Sequence, residues 1–113
     1  LSNLCESNFI QWKSDFSVPL ETQILVNATT VGMHGNTETS LDINFHSLNS
    51  SMVVADAIIN PPLTGLLKEA ANRGCKTIDG LGMVINQGVL AIKYWTGLDV
   101  DAAVMREKLL EVL

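Results

Sequence analysis

Apolar positions along the chain fall into short continuous runs and longer helical stripes, and the two kinds alternate. Gln23 to Ala28 reads Gln-Ile-Leu-Val-Asn-Ala and stops at Thr29-Thr30-Val31-Gly32, which predicts a buried parallel strand with a functional loop at its carboxyl end. Met52 to Ile59 is a second apolar run, interrupted only by Asp56 and ended by Asn60-Pro61-Pro62, where proline cannot continue a ladder. Thr64 then caps a helix through Leu66, Leu67, Ala70 and Ala71 to Arg73, and Gly74 supplies the left-handed stop. Lys76 to Asp79 gives a third strand, so Met52 to Asp79 reads as a right-handed β-α-β unit of about 28 residues. A long helix is expected from Gly82 to Trp95, closed by Thr96-Gly97. Asp99 or Asp101 caps a last helix that turns Val104, Met105, Leu109 and Val112 inward.

The remainder is less regular. Leu1 to Glu6 reads as the last turns of a helix, followed by a weak strand candidate at Phe9 to Lys13, while His34 to Ser51 is polar and reads as a surface connection that adds reach more than core. Strand-like and helix-like segments in alternation make this an α/β chain with about three parallel strands, a β-α-β unit and C-terminal helices.

Composition narrows the partners. Of 113 residues 47% are hydrophobic and 17% charged, enough for one core and too little for two domains. Seven basic against twelve acidic residues give a net charge of −5, with no Lys/Arg cluster that could track a phosphate backbone, so nucleic acid is excluded. The apolar runs fall far short of the roughly 20 residues that span a bilayer, so no membrane partner is expected. Cys5 and Cys75 lack metal-ligand spacing and read as buried free thiols, which suits a reducing, cytoplasmic setting. The chain opens on Leu1 rather than Met and closes on an apolar helix, which reads as a cut from something longer.

Candidate chemistry gathers at the strand ends. In open parallel sheets ligands bind beyond the carboxyl ends of the strands, so Thr29-Thr30-Val31-Gly32, Asn60-Pro61-Pro62 and Asp79-Gly80-Leu81-Gly82 should converge on one crevice. Glycines at 32, 80 and 82 let the backbone approach a flat or charged ligand, or simply close strand-to-helix turns. Gln87, one helical turn beyond Met83, offers an amide that suits a substrate hydroxyl, with a solvated glutamine as the plain alternative. Met83 reads from the pattern alone as core packing. Asp56 lacks a partner spaced for acid–base work and reads as a buried acid that accepts backbone N–H bonds. Asp79 reads as a cap for the glycine turn, and His34 and His46 as exposed loop residues. No metal site is expected. A Gly-x-Gly-x-x-Gly turn after a strand is absent, so the chain carries no pyrophosphate cradle of its own.

Read together, Leu25-Val-Asn-Ala-Thr-Thr-Val-Gly-Met33, Val53-Val-Ala-Asp56 with Asn60-Pro-Pro, Leu66-Leu-Lys-Glu-Ala, Arg73-Gly-Cys-Lys-Thr, Asp79-Gly-Leu-Gly-Met83, Gln87-Gly88 and Tyr94-Trp-Thr-Gly97 resemble the shikimate dehydrogenase family, which includes the quinate/shikimate dehydrogenases. The resemblance runs from Gln23 to Met105. It implies that residues 1–113 are the C-terminal portion of a Rossmann NAD(P)-binding domain, a partial Rossmann-type sheet whose final helices, from about residue 98, return to a substrate domain. The parent would transfer hydride between NADP or NAD and a cyclic hydroxy or keto acid, 3-dehydroshikimate to shikimate. Its catalytic Lys and Asp, its glycine-rich turn and the Arg that selects the cofactor's 2′-phosphate would all lie outside this chain. By the same resemblance Thr29, Thr30 and Val31 lie beside the cofactor, Ala57 and Gly80 contact the nicotinamide half through their backbone, Met83 packs on the nicotinamide ring, and Gln87 contacts a substrate hydroxyl. The family usually has Tyr where this chain has Ile59. A lost hydrogen bond to a charged substrate is worth on the order of 1.5 to 3 kcal/mol, so altered substrate choice is expected.

The competing reading is a non-catalytic Rossmann-like regulatory or interaction module. On either reading the 113 residues by themselves are expected to be inactive and to bind NADP(H) weakly or not at all. In a 3-2-1-4-5-6 sheet the strand at Gln23 to Ala28 would border strand one, which this chain does not contain. The bare edge predicts a homodimer, or other self-association, by strand addition.

Overall fold

The computed structural model describes residues 6–35 and 40–113. Its regular elements are β1 (Ile24–Asn27), a 3-10 turn at Phe45–Ser47, β2 (Val53–Asp56), α1 (Gly65–Asn72), β3 (Lys76–Ile78), α2 (Gly80–Thr96) and α3 (Ala102–Leu110). The three strands form one parallel sheet in the order β1-β2-β3. Ile24 pairs with Val53 and Val53 with Lys76, while Val26 pairs with Ala55 and Ala55 with Ile78. The α/β fold with a β-α-β unit and C-terminal helices is therefore as the hydrophobic pattern requires.

Local chemistry accounts for the helix ends. The Thr64 hydroxyl accepts from the Leu67 N–H, and Gly74 at φ +78° lets the chain turn directly into β3. Gly97, left-handed at φ +74°, closes α2 by donating to the Lys93 carbonyl. Asp101, rather than Asp99, caps α3 through the Ala103 N–H.

The core lies on one face of the sheet. Register puts Leu25, Asn27, Val54 and Asp56 on the face where α1 packs, with Leu66, Leu67 and Ala70 buried against it. On the other face Ile24 is 65% exposed and Val26 57%, so β1 is only half-buried and not the enclosed strand expected from its composition. A radius of gyration of 16.4 Å fits this open arrangement, since a closed domain of this length has about 13 Å.

Several expectations need correction. Phe9 to Lys13 is not a strand: Phe9 is 93% exposed, and pairing begins only at Phe16, which makes an isolated parallel bridge to Ile43. The second strand is shorter than Met52 to Ile59, because the Asp56 carboxylate takes the Ile58 N–H out of the ladder. The segment 40–51 adds core as well as reach, with Ile43 and Leu48 buried in the main cluster beside Val18. α2 begins at Gly80, two residues before Gly82, because Asp79 caps it. Val104 and Val112 point outward and α3 buries no residue, so its inward face is not the stripe expected. The helical remnant at Leu1 to Glu6 and the thiol of Cys5 lie, apart from Glu6, outside the described residues. Cys75 is buried and free, its Sγ donating to the Asn49 carbonyl at 3.1 Å. Among the described residues no helix is long and apolar enough to cross a membrane.

Candidate functional site

The carboxyl ends of β1 and β2 are joined by a buried polar network. Asn27, at the end of β1, donates through Nδ2 to Asp56 Oδ1 at 3.1 Å and to the Val31 carbonyl at 3.3 Å. Its Oδ1 accepts from both the amide and the hydroxyl of Thr29, at 3.0 and 2.8 Å, and the Thr29 hydroxyl in turn accepts from the Val31 N–H. An apolar strand thus ends in an Asx turn that shapes Thr29 to Val31 before any ligand is considered.

Asp56 holds the opposite side of the network. It accepts from Ile58 N–H at 3.0 Å and from the Thr64 hydroxyl at 2.7 Å, so the residue that caps α1 is also tied to the end of β2. With Asn27, that makes three donors on one buried carboxylate, the structural role expected from its apolar setting. The His34 N–H donates to the Asn60 carbonyl at 2.8 Å, fastening the loop after β1 to the loop after β2.

A cavity of about 590 Å³ opens between these two loops, lined by Val31, Gly32, Pro61, Thr64 and Lys68 among others. It does not reach Asp79 to Gly82, so the three loops do not share one enclosed crevice. The third joins the loop after β2 by direct backbone packing. A Cβ at Gly80 would lie 2.3 Å from the Ile58 carbonyl oxygen and 2.7 Å from that of Ala57. Gly80 is glycine because α2 starts against the β2 loop, a firmer reason than the approach of a ligand. At Gly82 a Cβ would meet nothing within 4 Å.

α2 then carries two of the expected site residues on one ridge. Met83, Gln87, Leu90 and Tyr94 recur at i, i+4, i+7 and i+11 and are all exposed, whereas Leu81 and Ile85 are buried. Met83 is 48% exposed and is therefore not the core residue its pattern implies. Thr29 and Thr30 are exposed, Val31, Ala57 and Ile59 half-buried, and Gly80 buried. Asp79 lies where the ridge begins. The Arg106 guanidinium beside it holds its carboxyl below the ordinary value, with the Gly82 and Leu81 amides helping and burial opposing.

The groups the strand ends and the first turn of α2 offer are an exposed thioether at Met83, half-buried apolar side chains at Val31, Ala57 and Ile59, and exposed threonines at 29 and 30. Positive charge for a pyrophosphate is sparse: four of the seven basic residues, Arg73, Lys93, Arg106 and Lys108, are in ion pairs, Lys76 lies at the amino end of β3, and Lys68 lines the cavity between the first two loops. His34 and His46 are exposed, and among the described residues no group of three His, Cys, Asp or Glu side chains could hold a metal ion. Composition and spacing did not reveal Asn27, Thr64 as a partner of Asp56, or Arg106. The Asn-Ala-Thr step after an apolar run was a usable signal for the first, and nothing local marks the last.

Residues 80–110 match the family model of the shikimate 5′-dehydrogenase C-terminal domain. An NADP(+) shikimate dehydrogenase of Methanosarcina acetivorans is 43% identical over 93 residues, 82% of this chain and 33% of that protein. Among solved structures, the ligand-free 5-ketofructose reductase of Gluconobacter sp. strain CHM43 superposes with a TM-score of 0.84 at 44% identity, covering 90% of this chain and 36% of that one. A shikimate dehydrogenase in complex with NADP+ superposes with a TM-score of 0.76 at 42% identity, over 80% of this chain and 31% of that one. The chain thus spans about a third of the length of the proteins it matches.

Proposed function

Because this chain belongs to the shikimate dehydrogenase family, we propose that it is the C-terminal part of a Rossmann domain in an NAD(P)-dependent oxidoreductase. The observation that carries this reading is the seating of Gly80 on the Ala57 and Ile58 carbonyls, which brings the start of α2 to the strand-end loops. Thr29, Thr30 and Val31 would line one side of the nicotinamide end of NADP or NAD, with the Ala57 and Gly80 backbone beneath and Met83 against the ring. Gln87, exposed on the same ridge as Met83, would donate to or accept from a substrate hydroxyl. The cofactor, when bound, supplies or accepts the hydride. The residues here orient it and its partner, which is how positioning lowers such a barrier.

The reaction class is oxidation of a ring hydroxyl of a small polyhydroxylated substrate, or reduction of the matching ketone. Shikimate or quinate is the first substrate class. Ile59 favours a second, a neutral keto-sugar, because no hydroxyl stands at this position to meet a charged acid and because the likeness to a 5-ketofructose reductase covers nine tenths of the chain. The phosphates would be held by the longer protein, and the helices from about residue 98 would return to its substrate domain. Taken alone, the 113 residues lack that cradle, and we expect no binding of NADPH at micromolar concentrations. A second copy of this chain would cover the free edge of β1. The free thiol of Cys75 suits a cytoplasmic setting.

The test is steady-state kinetics of the full-length protein with NADP+ and NAD+ on shikimate, quinate and a ketohexose couple, beside Ile59→Tyr. We expect the substitution to change the ratio of kcat/KM between the acid and the sugar by about ten- to a hundredfold, the worth of one hydrogen bond to a charged group. No turnover of any of these by the parent would overturn the family activity. Unchanged ratios would remove Ile59 from substrate choice.

A further inference from the structure

α3 is held to the rest of the molecule in an unusual way. It buries no residue, and Val104 and Leu110 are at least half exposed, while Met105 and Leu109 are half-buried, so apolar packing holds it only in part. Two contacts with α2 and its cap stand out. Arg106 Nη1 donates to Asp79 Oδ1 at 3.2 Å while Nη2 donates to Oδ2, a two-bond pairing between planar groups. One residue earlier, Met105 lies so close to Gly88 that a Cβ there would sit 2.8 Å from its Cε.

These two points, Asp79 and Gly88, bracket Met83 and Gln87. Asp79 Oδ1 also accepts from the Gly82 N–H at 3.3 Å, so the carboxylate that Arg106 fixes is the one that caps α2. A single Asp can cap a helix in several rotamers. Bidentate pairing narrows that choice, and the first turn is already pressed on Ala57 and Ile58 through Gly80. Rotation of α2 about its own axis would move the Met83 ridge relative to the strand ends, and the contact at Asp79 lies at the end of the helix where that rotation is resisted.

We propose that Arg106 is a positioning residue for hydride transfer, locking the first turns of α2 through Asp79 so that Met83 and Gln87 face the cofactor and substrate. This rests on the functional reading above. Arg106 itself touches neither reactant.

The experiment compares Arg106→Gln, Arg106→Lys and Asp79→Asn in the full-length protein, with Tm and kinetics measured well below unfolding. Misplacement of reacting groups by an ångström can cost about a hundredfold. We expect kcat to fall about tenfold in Arg106→Gln with cofactor KM changed less than about threefold, and partial recovery in Arg106→Lys, which keeps the charge without the fork. The double variant Asp79→Asn/Arg106→Gln should be no worse than the worse single one, as for two ends of one contact. A merely structural role predicts lower Tm with unchanged kcat, which would overturn the proposal, as would losses that multiply. If Arg106→Gln does not fold, Asp79→Asn carries the same test. Hydrogen exchange separates this from failure of the functional reading: with no turnover in the parent, faster exchange of amides 82–84 but not 92–96 in Arg106→Gln still supports the lock, and equal exchange overturns it.

Discussion

Asn27 and Asp56 face each other across the carboxyl ends of two adjacent parallel strands, Nδ2 to Oδ1 at 3.1 Å, both side chains buried. The pair stabilises the sheet where it would otherwise end in loose loops, since each member also organises the loop that follows its own strand. Removing the carboxylate strands the Ile58 N–H and the Thr64 hydroxyl, whereas Asn27 keeps the Val31 carbonyl. Each unsatisfied buried donor costs about 1 to 3 kcal/mol. Asp56→Ala should therefore lower stability by roughly 3 kcal/mol in urea unfolding of the full-length protein, and Asp56→Asn by less, because one acceptor oxygen remains for Ile58. Equal stability of Asp56→Ala and the parent would show that the network contributes nothing.

The two glycines that open α2 should behave differently despite standing two residues apart. At Gly80 the obstacles are backbone oxygens at 2.3 and 2.7 Å, which cannot rotate away. Gly80→Ala must push α2 off the β2 loop. We expect overpacking of the usual size, about 1 to 3 kcal/mol, with a loss of activity larger than the loss of stability because the Met83 ridge moves. Gly82→Ala meets nothing within 4 Å and replaces a poor helix former by the best one. It should leave Tm unchanged or raise it. Similar Tm values for the two alanine variants would contradict this packing.

How far the sequence reaches is clear from these same residues. Thr64, Gly74 and Gly97 act at short range, through a cap hydroxyl or a left-handed backbone, and such signals sit next to the elements they end. All three helices, the three parallel strands and the structural role of Asp56 could be read that way. Tertiary contacts were not legible. Gly80 looks like any turn glycine until the carbonyls of Ala57 and Ile58 are in place, and Arg106 acquires its meaning only from Asp79, 27 residues away. Met83 departs from the core role its period implies because α2 buries only Gly80, Leu81 and Ile85, leaving the 83-87-90-94 ridge exposed. Val104 and Val112 are exposed for a similar reason, since α3 turns only Met105 and Leu109 part-way inward and is tied to Asp79 by Arg106.

Acid should break that ion pair only at low pH. The Asp79 carboxyl titrates below its ordinary value chiefly because of the Arg106 hydrogen bond. Its contribution to stability is therefore complete above the unfolded carboxyl value, near 3.9, and is lost as the pH falls through the depressed folded value. Unfolding free energies measured from pH 5 down to pH 2 should drop more steeply in the parent than in Arg106→Gln, whose Asp79 titrates closer to its unfolded value. Parallel curves for the two proteins would remove Asp79 from the acid response.

The open side of the sheet leads to the last expectation. β1 pairs with β2 alone among the described residues, so its outer edge offers unpaired backbone groups. The sheet face beside it exposes Ile24, Val26 and Ile78. Parallel strands of this composition are normally covered on both faces, and an apolar edge invites pairing with another chain. The 113-residue chain should therefore associate with itself in sedimentation velocity at micromolar concentration. A lysine on the exposed face disfavours such pairing, so Val26→Lys should shift the population toward monomer while leaving the α1 side of the core, which Val26 does not touch in register, intact. A parent chain that sediments as a monomer at all concentrations would refute the docking of a second copy on this edge. Association unchanged by Val26→Lys would move the contact elsewhere, with the exposed Tyr94 and Trp95 at the end of α2 as the next surface to alter.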